Sequence, residues 1–476
     1  MQVKHQNPRR AQDKKQEVHN NAPGNIMRVL RILLACLTLL MASHALAVPS
    51  FARQTGMACE ACHTSYPELT PFGRFFKMNG YTMTGISQVA APGSANTPEL
   101  RIDQIPPLSI MLQTSMEWQR GSQIDTAATP PDSSQTARTT ANFPLQLSFF
   151  FAGEISPKMG SMVQLTYSAE QDHFSIDNSD IRFADHTSIA GKDTIYGITM
   201  NNNPTVEDPW QSTPAWGFPF IQPGVLPMPA AAAMVDGQLA QQVFGIGGYT
   251  LWNQAWYADV TGYRTEQPGA GQPYNATSTN TIASTAPYWR VAHQTTFDNA
   301  YLEVGAFGME AHITPNGIIG PTNGYMDSAL DAQYEQSLGG GNSFVLRSSL
   351  IHEQQNLTAD VAAGTATNTR NTLNTWHLNG SYHLGGKQTL SLGFNHTTGS
   401  QDTLLYAPAA NTGSAAGSPD STDWQAQYAL MVWQNVQLGL QYTAYTKFNG
   451  GTSNYDGFGS KASNNDVGMV YGWFMW

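Results

Sequence analysis

The chain has 476 residues, of which only 12% are Asp, Glu, Lys or Arg, half the ~25% that is usual in soluble domains. Its net charge of −11 disfavours nucleic acid, whose phosphates attract basic surfaces, and favours cations. The negative mean hydropathy excludes a bundle of membrane-spanning helices but is compatible with a membrane barrel, in which polar and apolar residues alternate.

Residues 1–47 have the features of a polar extension followed by a secretory signal peptide. From Met27 a basic start leads into an apolar run over 32–42 and then into Ala45-Leu46-Ala47, a small-residue cleavage motif. The apolar run is too short to span a bilayer, which takes ~20 residues. We predict cleavage after Ala47, with translation starting at either Met1 or Met27. Cleavage leaves 16 basic and 32 acidic residues in the mature chain.

Cys59-Glu60-Ala61-Cys62-His63 has the pattern of a c-type haem attachment site. The two thiols would form thioethers to the haem vinyl groups, and the histidine that follows would be held under the iron as proximal ligand. The alternative is a disulfide or redox pair that happens to precede a histidine. Since the mature chain has no other cysteine, we predict one covalently bound haem c, attached through Cys59 and Cys62 and ligated by His63.

Residues 48–86 contain the stretch that is predicted to be helical. Thr70-Pro71 begins it, with proline in the first turn; three phenylalanines come next at helical spacing, and Gly80 ends it. A unit of this size needs a covalent or metal staple to fold, and here also an external surface. We therefore expect a small α-helical c-type cytochrome plug over 48–86 and a linker over 87–107 that joins it to the remainder of the chain.

From Leu108 onward, polar and apolar residues alternate with a period of two, which predicts strands. In the first segment Ile110 and Leu112 share one parity, while Ser109 and Gln113 share the other. We count 16 such strands, and no amphipathic helix interrupts them.

The links between these strands alternate in length. Short links fall at 157, 252–253, 297–298, 339–341, 385–387 and 433–434, and long ones at 120–141, 203–236, 265–286, 355–371, 400–421 and 448–463. Outer-membrane barrels have short periplasmic turns and long extracellular loops. We therefore predict that 108–476 is all-β, a 16-stranded antiparallel transmembrane β-barrel, with both mature termini on the periplasmic side. A soluble β-sandwich or propeller is the alternative, disfavoured by the loop asymmetry and the aromatic C-terminal strand.

Residues on both sides of the Cys-x-x-Cys-His motif carry a resemblance to a known family. They are Ala47 to Gly56, Cys59-x-x-Cys62-His63, Pro67-x-Leu69, Phe72-Gly73-Arg74-x-Phe76-Lys77 and Gly80-Tyr81. In these residues the chain resembles the fused cytochrome–porins, the outer-membrane iron(II) oxidases of iron-oxidising bacteria. The specific match covers about 35 residues, and the rest is similar in architecture and length.

The resemblance implies one haem c, carried by a plug inside or at the mouth of the barrel. It implies an iron(II) oxidoreductase in the outer membrane of a Gram-negative bacterium, embedded in lipid. Extracellular Fe(II) would be the electron donor, and a periplasmic c-type cytochrome or cupredoxin would be the acceptor. Nucleic acid is not expected as a partner. Two other interpretations stay open: a haem-containing porin that conducts electrons from a donor other than iron, and a pore or transport protein with a structural haem plug.

Candidates for the sixth ligand of the haem iron can be ranked by the reduction potential that the haem needs in order to accept an electron from Fe²⁺. Because Fe²⁺/Fe³⁺ is a high-potential couple, it favours a methionine over a second histidine. Met78 and Met83 come after the motif in the same small unit and are our first candidates. His377 and His383, on the polar parity of their strand, are the alternative. The acids on lumen parities are expected to form a polar pore wall: Glu117, Asp180, Asp259, Asp327 and Asp331.

Overall fold

The computed structural model describes residues 49–83, 107–123, 139–169, 172–266, 280–315 and 320–476. The predicted signal peptide over 1–47, and the predicted linker over 87–107 apart from its last residue, lie outside the described residues. Within the described ranges, no helix has both the length and the apolar character to cross a membrane.

Sixteen antiparallel strands close into a barrel, as the alternation predicted. In chain order they are β1 (Leu108–Gln119), β2 (Thr139–Ser156), β3 (Met159–Ser168), β4 (His173–Ile176 and Asp180–Ile189), β5 (Lys192–Asn201), β6 (Val243–Trp252), β7 (Trp256–Thr265), β8 (Asn280–Ile282 and Ala286–Phe297), β9 (Ala300–Pro315), β10 (Asn323–Gly339), β11 (Asn342–Asn356), β12 (Arg370–Leu384), β13 (Gln388–Gly399), β14 (Ser421–Trp433), β15 (Val436–Lys447) and β16 (Val467–Met475). The two segments of β4 both pair with β3, and those of β8 both pair with β9, so each is one interrupted strand. β16 pairs with β1 and closes the ring.

The inner face of the barrel wall is polar and its outer face is apolar. In β1 the polar parity, with Gln113 and Glu117, is buried inside, whereas Met116 and Trp118 on the other parity are 55% and 41% exposed. The same outward apolar face recurs around the barrel at Val260, Leu330 and Leu392. A soluble β-sandwich buries its apolar parity, so this arrangement fits a barrel with lipid outside.

Short and long connections lie at opposite ends of the barrel, here called the turn end and the loop end. The turns are 157–158, 190–191, 253–255, 298–299, 340–341, 385–387 and 434–435, and the loops that are described throughout are 202–242, 357–369, 400–420 and 448–466. Residues 124–138, 170–171, 267–279 and 316–319, in the remaining connections, lie outside the described residues. The chain terminus is at the turn end, where the Ile110 amide donates to the Trp476 carbonyl oxygen. The turn at 190–191 and the connections from β3 to β4 and from β9 to β10 were not predicted from the sequence.

The connection over 202–242, here called the inner loop, enters the barrel. The backbone N–H groups of Val225, Met234 and Val235 donate to wall carboxylates at 2.7–3.1 Å. Glu117, Glu353 and Asp327 are the respective acceptors. These wall acids therefore hold a loop and do not line an open aqueous wall.

Three short α-helices and several single turns complete the described part of the chain. The helices are α1 (Ser50–Thr55), α2 (Pro71–Met78) and α3 (Thr358–Ala363); the 3₁₀ turns are Cys59–Ala61, Pro214–Trp216 and Ala462–Asn465; a π-type turn covers Met234–Gln238; and His63–Ser65 pairs with Glu68–Leu69 in a two-stranded sheet. Residues 49–83, here called the inner segment, pack inside the barrel near the turn end. Its Tyr66 hydroxyl donates to the Gln434 carbonyl oxygen in the last turn, and its Tyr81 hydroxyl to Asp180 of β4 at 2.8 Å.

The two ends of the barrel predict a protease pattern on intact cells. A cleavage site inserted at the exposed Pro408-Ala409 should be cut from outside, whereas sites at 340–341 or 385–387 should be cut only after the outer membrane is permeabilised. Immunoblotting of the fragments is the measurement, and cutting at the turn end alone would mean that the barrel is inverted.

The inner loop changes one expectation from the sequence, which treated 203–236 as an exposed link like the others. Residues 202–213 are all buried. A cleavage site inserted there should therefore resist protease on intact cells, and the same immunoblot measures it.

Candidate functional site

The Cys59–His63 motif forms a tight turn at the start of the site. Cys59–Ala61 is a 3₁₀ turn, and the Cys62 amide donates to the Cys59 carbonyl oxygen at 3.1 Å, which brings the two thiols close together. Both are free thiols. Burial and the nearby Cys59 raise the pKa of Cys62 to about 11, so that its thiol stays protonated.

The ring of His63 is oriented through one of its two nitrogens. Nδ1 lies 3.3 Å from the Pro67 carbonyl oxygen, which can only accept, so this nitrogen carries the proton. Burial lowers the pKa of His63 and keeps the imidazole neutral. Nε2 then has a free lone pair, which is the arrangement found when a metal-ligating histidine is fixed by a backbone carbonyl.

Helix α2 packs directly on the motif because of the residues at its start. The Thr70 hydroxyl accepts from the Gly73 amide at 3.1 Å as an N-cap, and it donates to the Ala61 carbonyl oxygen at 2.6 Å. A Cβ at Gly73 would overlap the carbonyl oxygen of Cys62, so only glycine permits this approach. The predicted Thr70-Pro71 helix start is therefore present, and it also fixes the helix against the cysteines.

A cavity of about 380 Å³, here called the motif cavity, lies between the inner segment and the barrel wall. Cys59, Cys62 and His63 line one side of it, and the wall side comes from β1, β2, β3, β16 and the inner loop. Its aromatic lining residues include Phe51, Tyr66, Phe76, Phe150, Phe220 and Trp473. The volume falls in the range of about 300–1,000 Å³ that is usual for small-molecule and cofactor sites.

Four methionines line the motif cavity: Met57, two residues before the motif, and Met111, Met162 and Met475, which the sequence analysis did not single out. One signal for them was present in the sequence. Met111 stands on the polar parity of β1, between Ser109 and Gln113, where an apolar residue is an exception that points into the lumen. Met162 and Met475 carry no comparable signal, because only the fold brings their strands to the motif cavity.

The predicted sixth ligands of the plug lie elsewhere. Met78 is buried in a separate apolar cluster with Ala184 and Ile195, and neither Met78 nor Met83 is among the described residues that line the motif cavity.

The two predicted histidines do face the barrel interior, but each has other partners. His377 Nε2 lies 2.9 Å from Asp236, and His383 Nδ1 lies 3.0 Å from the Thr389 hydroxyl. Neither is among the described lining residues of the motif cavity. For all four residues, ligation of the iron stays a prediction.

Buried ion pairs hold the inner segment to the wall. Arg347 Nη1 lies 2.6 Å from Glu68, and both side chains are 2% exposed. Arg74 makes a two-point contact with Glu335, in which Nη2 and Oε2 are 3.0 Å apart. Such contacts are costly to break from one side, because the remaining charge stays buried without its partner.

Lys77 and Arg290 tie the inner loop into the same network. Lys77 Nζ donates to the carbonyl oxygens of Val206 and Asp208 at 2.6 and 2.8 Å, and burial lowers the pKa of Lys77 to about 7. Arg290 lies 2.7 Å from Asp331 and 3.1 Å from Glu303, and it also meets Asp208 at 3.5 Å. Asp331 is therefore an ion-pair partner in a buried network, where the sequence suggested a wet pore wall.

No family model matches the chain, and a search of curated proteins finds no match either. Solved outer-membrane barrels are similar in fold: OprB of Pseudomonas putida (8% identity, 78% of this chain and 94% of that chain, TM-score 0.46), an anion-selective porin from Comamonas acidovorans (12%, 78% and 98%, TM-score 0.44) and OmpT of Vibrio cholerae (8%, 78% and 96%, TM-score 0.41). Similarity at this level carries no functional argument, and the barrel itself rests on the strand pairing described above.

The Arg347–Glu68 pair predicts a measurable loss of stability. Arg347→Met leaves the buried Glu68 carboxylate with only His383 Nε2 beside it, at 3.4 Å, and should lower the free energy of unfolding by about 3–5 kcal/mol. Urea unfolding followed by tryptophan fluorescence measures this, since Trp473 lines the motif cavity.

Lys158→Met is the matched control for this prediction. Its pair with Asp185 is exposed to solvent at the turn end, so its removal should leave the free energy of unfolding close to that of the wild type. Equal effects of the two substitutions would contradict the role of the buried pair.

Proposed function

We propose that this chain is an outer-membrane c-type cytochrome–porin that oxidises extracellular Fe(II) and passes the electron through one haem to a periplasmic carrier. The haem would be bound by the inner segment, which then corresponds to the cytochrome plug of the fused cytochrome–porins. The observation that carries the proposal is the motif cavity, because it adjoins both cysteines and the histidine of one haem-attachment motif.

The residues around the motif cavity fit a haem. Cys59 and Cys62 would hold it by thioethers, and His63 would offer Nε2 to the iron, since Nδ1 faces the Pro67 carbonyl oxygen. The aromatic lining suits a flat apolar ring, and Gln146 and Gln164 bring polar groups to the same cavity. When bound, the haem supplies a one-electron centre, whose potential depends on its ligands, burial and hydrogen bonds.

The outward apolar face supports a membrane position, and the two ends of the barrel suggest a direction for the electron. With long loops outside, the motif cavity lies on the periplasmic side, since Ser109 and Met475 line it near the turn end. A periplasmic cytochrome or cupredoxin would approach from that side. Lys387 and the exposed Glu60 flank an opening of about 270 Å³ there, which His63 also lines.

An external iron oxidation suits a barrel with a filled lumen. Ferric iron precipitates except in acid, so a cell gains when the iron stays outside and only the electron enters. The inner segment and the inner loop meet at Lys77, and both are bound to the wall by buried charges. A filled lumen favours a function in electron transfer over solute transport, which is the function of an ordinary porin.

Covalent haem is the first test of this proposal. The wild-type protein should retain haem peroxidase staining on a denaturing gel, because thioethers survive unfolding, whereas Cys59→Ala and Cys62→Ala together should abolish it. The barrel of the variant should still resist denaturation before heating, since its strands pair independently of the motif. Haem staining that persists in the double variant would refute attachment at this motif.

Reduction by Fe²⁺ is the second test. In anaerobic stopped-flow mixing, Fe²⁺ should reduce the oxidised haem of the purified protein at a rate that matches steady-state turnover. A donor other than iron would be indicated if the haem were intact and Fe²⁺ failed to reduce it.

The sixth ligand can be assigned by the methionine–iron charge-transfer band. Each candidate methionine is changed to leucine in turn: Met78 and Met83 from the sequence, and Met57, Met111, Met162 and Met475 from the lining of the motif cavity. We expect the band to be lost in one of these variants. Its absence from the wild type would favour a histidine and weaken the case for a donor of such high potential.

A further inference from the structure

A second cavity of about 230 Å³ lies in the lumen on the loop side of the motif cavity. It is lined at one end by Ser421 and Asp423, the first residues of β14 at the loop end, and by His377 in the middle of β12. Gln211, Gly217 and Pro219 of the inner loop line both cavities, so the two cavities lie next to each other on either side of this part of the loop. We call it the loop-side cavity.

We propose that the loop-side cavity is a binding site for a hydrated divalent cation, with His377 Nε2 and an Asp236 carboxylate oxygen as its two protein ligands. The inference rests on the proposed function, in which the cation is the substrate Fe²⁺ held on the outer side of the haem.

The positions of these two groups suit a shared metal ion. Two ligands at right angles, each at the ~2.1 Å that imidazole and carboxylate make to first-row divalent metals, lie about 3.0 Å apart. His377 Nε2 and Asp236 Oδ2 are 2.9 Å apart. A divalent ion can therefore replace the proton that they now share, without a change in their spacing. An imidazole with a carboxylate is also a donor set that suits Fe(II).

Each ligand is held in place by separate contacts. Asp236 comes directly after Met234 and Val235, whose amides are bound by wall carboxylates, so the turn presents its side chain towards β12. The imidazole is oriented by Asn395, whose Oδ1 lies 2.7 Å from His377 Nδ1. Such outer contacts fix the tautomer and direct Nε2 towards a metal.

A second acidic group completes the surroundings. Asn395 donates to Asp423 at 3.0 Å, and Gln425 donates to the same carboxylate oxygen at 3.1 Å. Gln425 lines the loop-side cavity and is only 6% exposed, and its side-chain oxygen has no hydrogen-bond partner among the described residues. A water ligand of a bound cation would donate to it.

The site has few protein ligands, which suits a substrate. Among the described residues no group of three or more His, Cys, Asp and Glu side chains is arranged to hold a metal ion. Two protein ligands and several waters give a cation that enters and leaves, as turnover requires. A resident structural metal would need a fuller set.

Mn²⁺ is the probe for this site, because it takes the same ligands as Fe²⁺, binds more weakly and does not reduce the haem. The six-line electron paramagnetic resonance signal of free Mn²⁺ is titrated with the full-length haem-loaded protein in detergent. Wild type should remove the signal with one saturable site. Asp236→Asn and His377→Gln should abolish saturable binding, and Asp423→Asn, which keeps both ligands, should weaken it ~10-fold.

Glu310→Gln is the matched control. Glu310 and His312 form a similar pair at 3.3 Å, but both side chains are at least half exposed on the outer face of β9. This variant should bind Mn²⁺ as wild type does, although it also loses one carboxylate from a His–carboxylate pair. If Asp236→Asn or His377→Gln fails to fold, Asp423→Asn carries the test.

The outcomes separate this site from the proposed function. Mn²⁺ binding that is equal in wild type and all variants overturns the site, whatever the haem does. A changed haem spectrum in His377→Gln with unchanged Mn²⁺ binding also overturns it, and assigns His377 to the haem. Mn²⁺ binding that depends on Asp236 and His377 supports the site even if Fe²⁺ fails to reduce the haem, in which case only the proposed function fails.

Discussion

The structure depends on buried ion pairs between the barrel wall and the two stretches of chain inside it, with the positive charge on the wall in some pairs and inside the lumen in others. Arg347 meets Glu68 of the inner segment, Arg74 of that segment meets Glu335 of the wall, and Arg290 gathers Asp208, Glu303 and Asp331. An unpaired charge at any of these positions would have to be desolvated without compensation. The charged side chains on the inner face of the wall, both acids and arginines, are thus the anchoring points that allow a chain segment and a loop to occupy the barrel.

This anchoring explains how a motif of five residues acquires a site. The Cys-x-x-Cys-His turn has too little surrounding chain to enclose a large planar group by itself. Helix α2 covers one side of it through Gly73, and the barrel wall covers the other with Phe150 and Trp473. The motif cavity is therefore shared between the inner segment and the wall, which the ion pairs hold together along with hydrogen bonds such as that of Tyr81 to Asp180.

Much of the fold was predictable because its signals are local. The period of two from Leu108 onward reflects the pleat of a strand, and the Thr70-Pro71 helix start is a local cap, so both are visible without tertiary information. The pattern that predicts haem attachment is local for the same reason, since the two thiols and the histidine that it requires fall within Cys59–His63.

The parts that were missed depend on contacts between distant residues. The link at 203–236 looked like any other polar loop, because its entry into the lumen rests on Met234 and Val235 amides meeting Glu353 and Asp327. His377 was correctly expected to face the interior, but its partner Asp236 comes from that same loop. Met162 and Met475 of the motif cavity could not be recognised from the sequence for a similar reason. Met111 could be, because it is an apolar residue on the polar parity of β1.

The central claim is that an electron crosses the barrel while iron does not. The most direct measurement uses sealed vesicles that contain the haem-loaded protein, with a soluble c-type cytochrome trapped inside and Fe²⁺ added outside under anaerobic conditions. We expect the trapped cytochrome to be reduced while the vesicle interior gains no iron. In the double variant without Cys59 and Cys62, the trapped cytochrome should stay oxidised. Entry of iron without reduction, or reduction that is equal in the double variant, would contradict it.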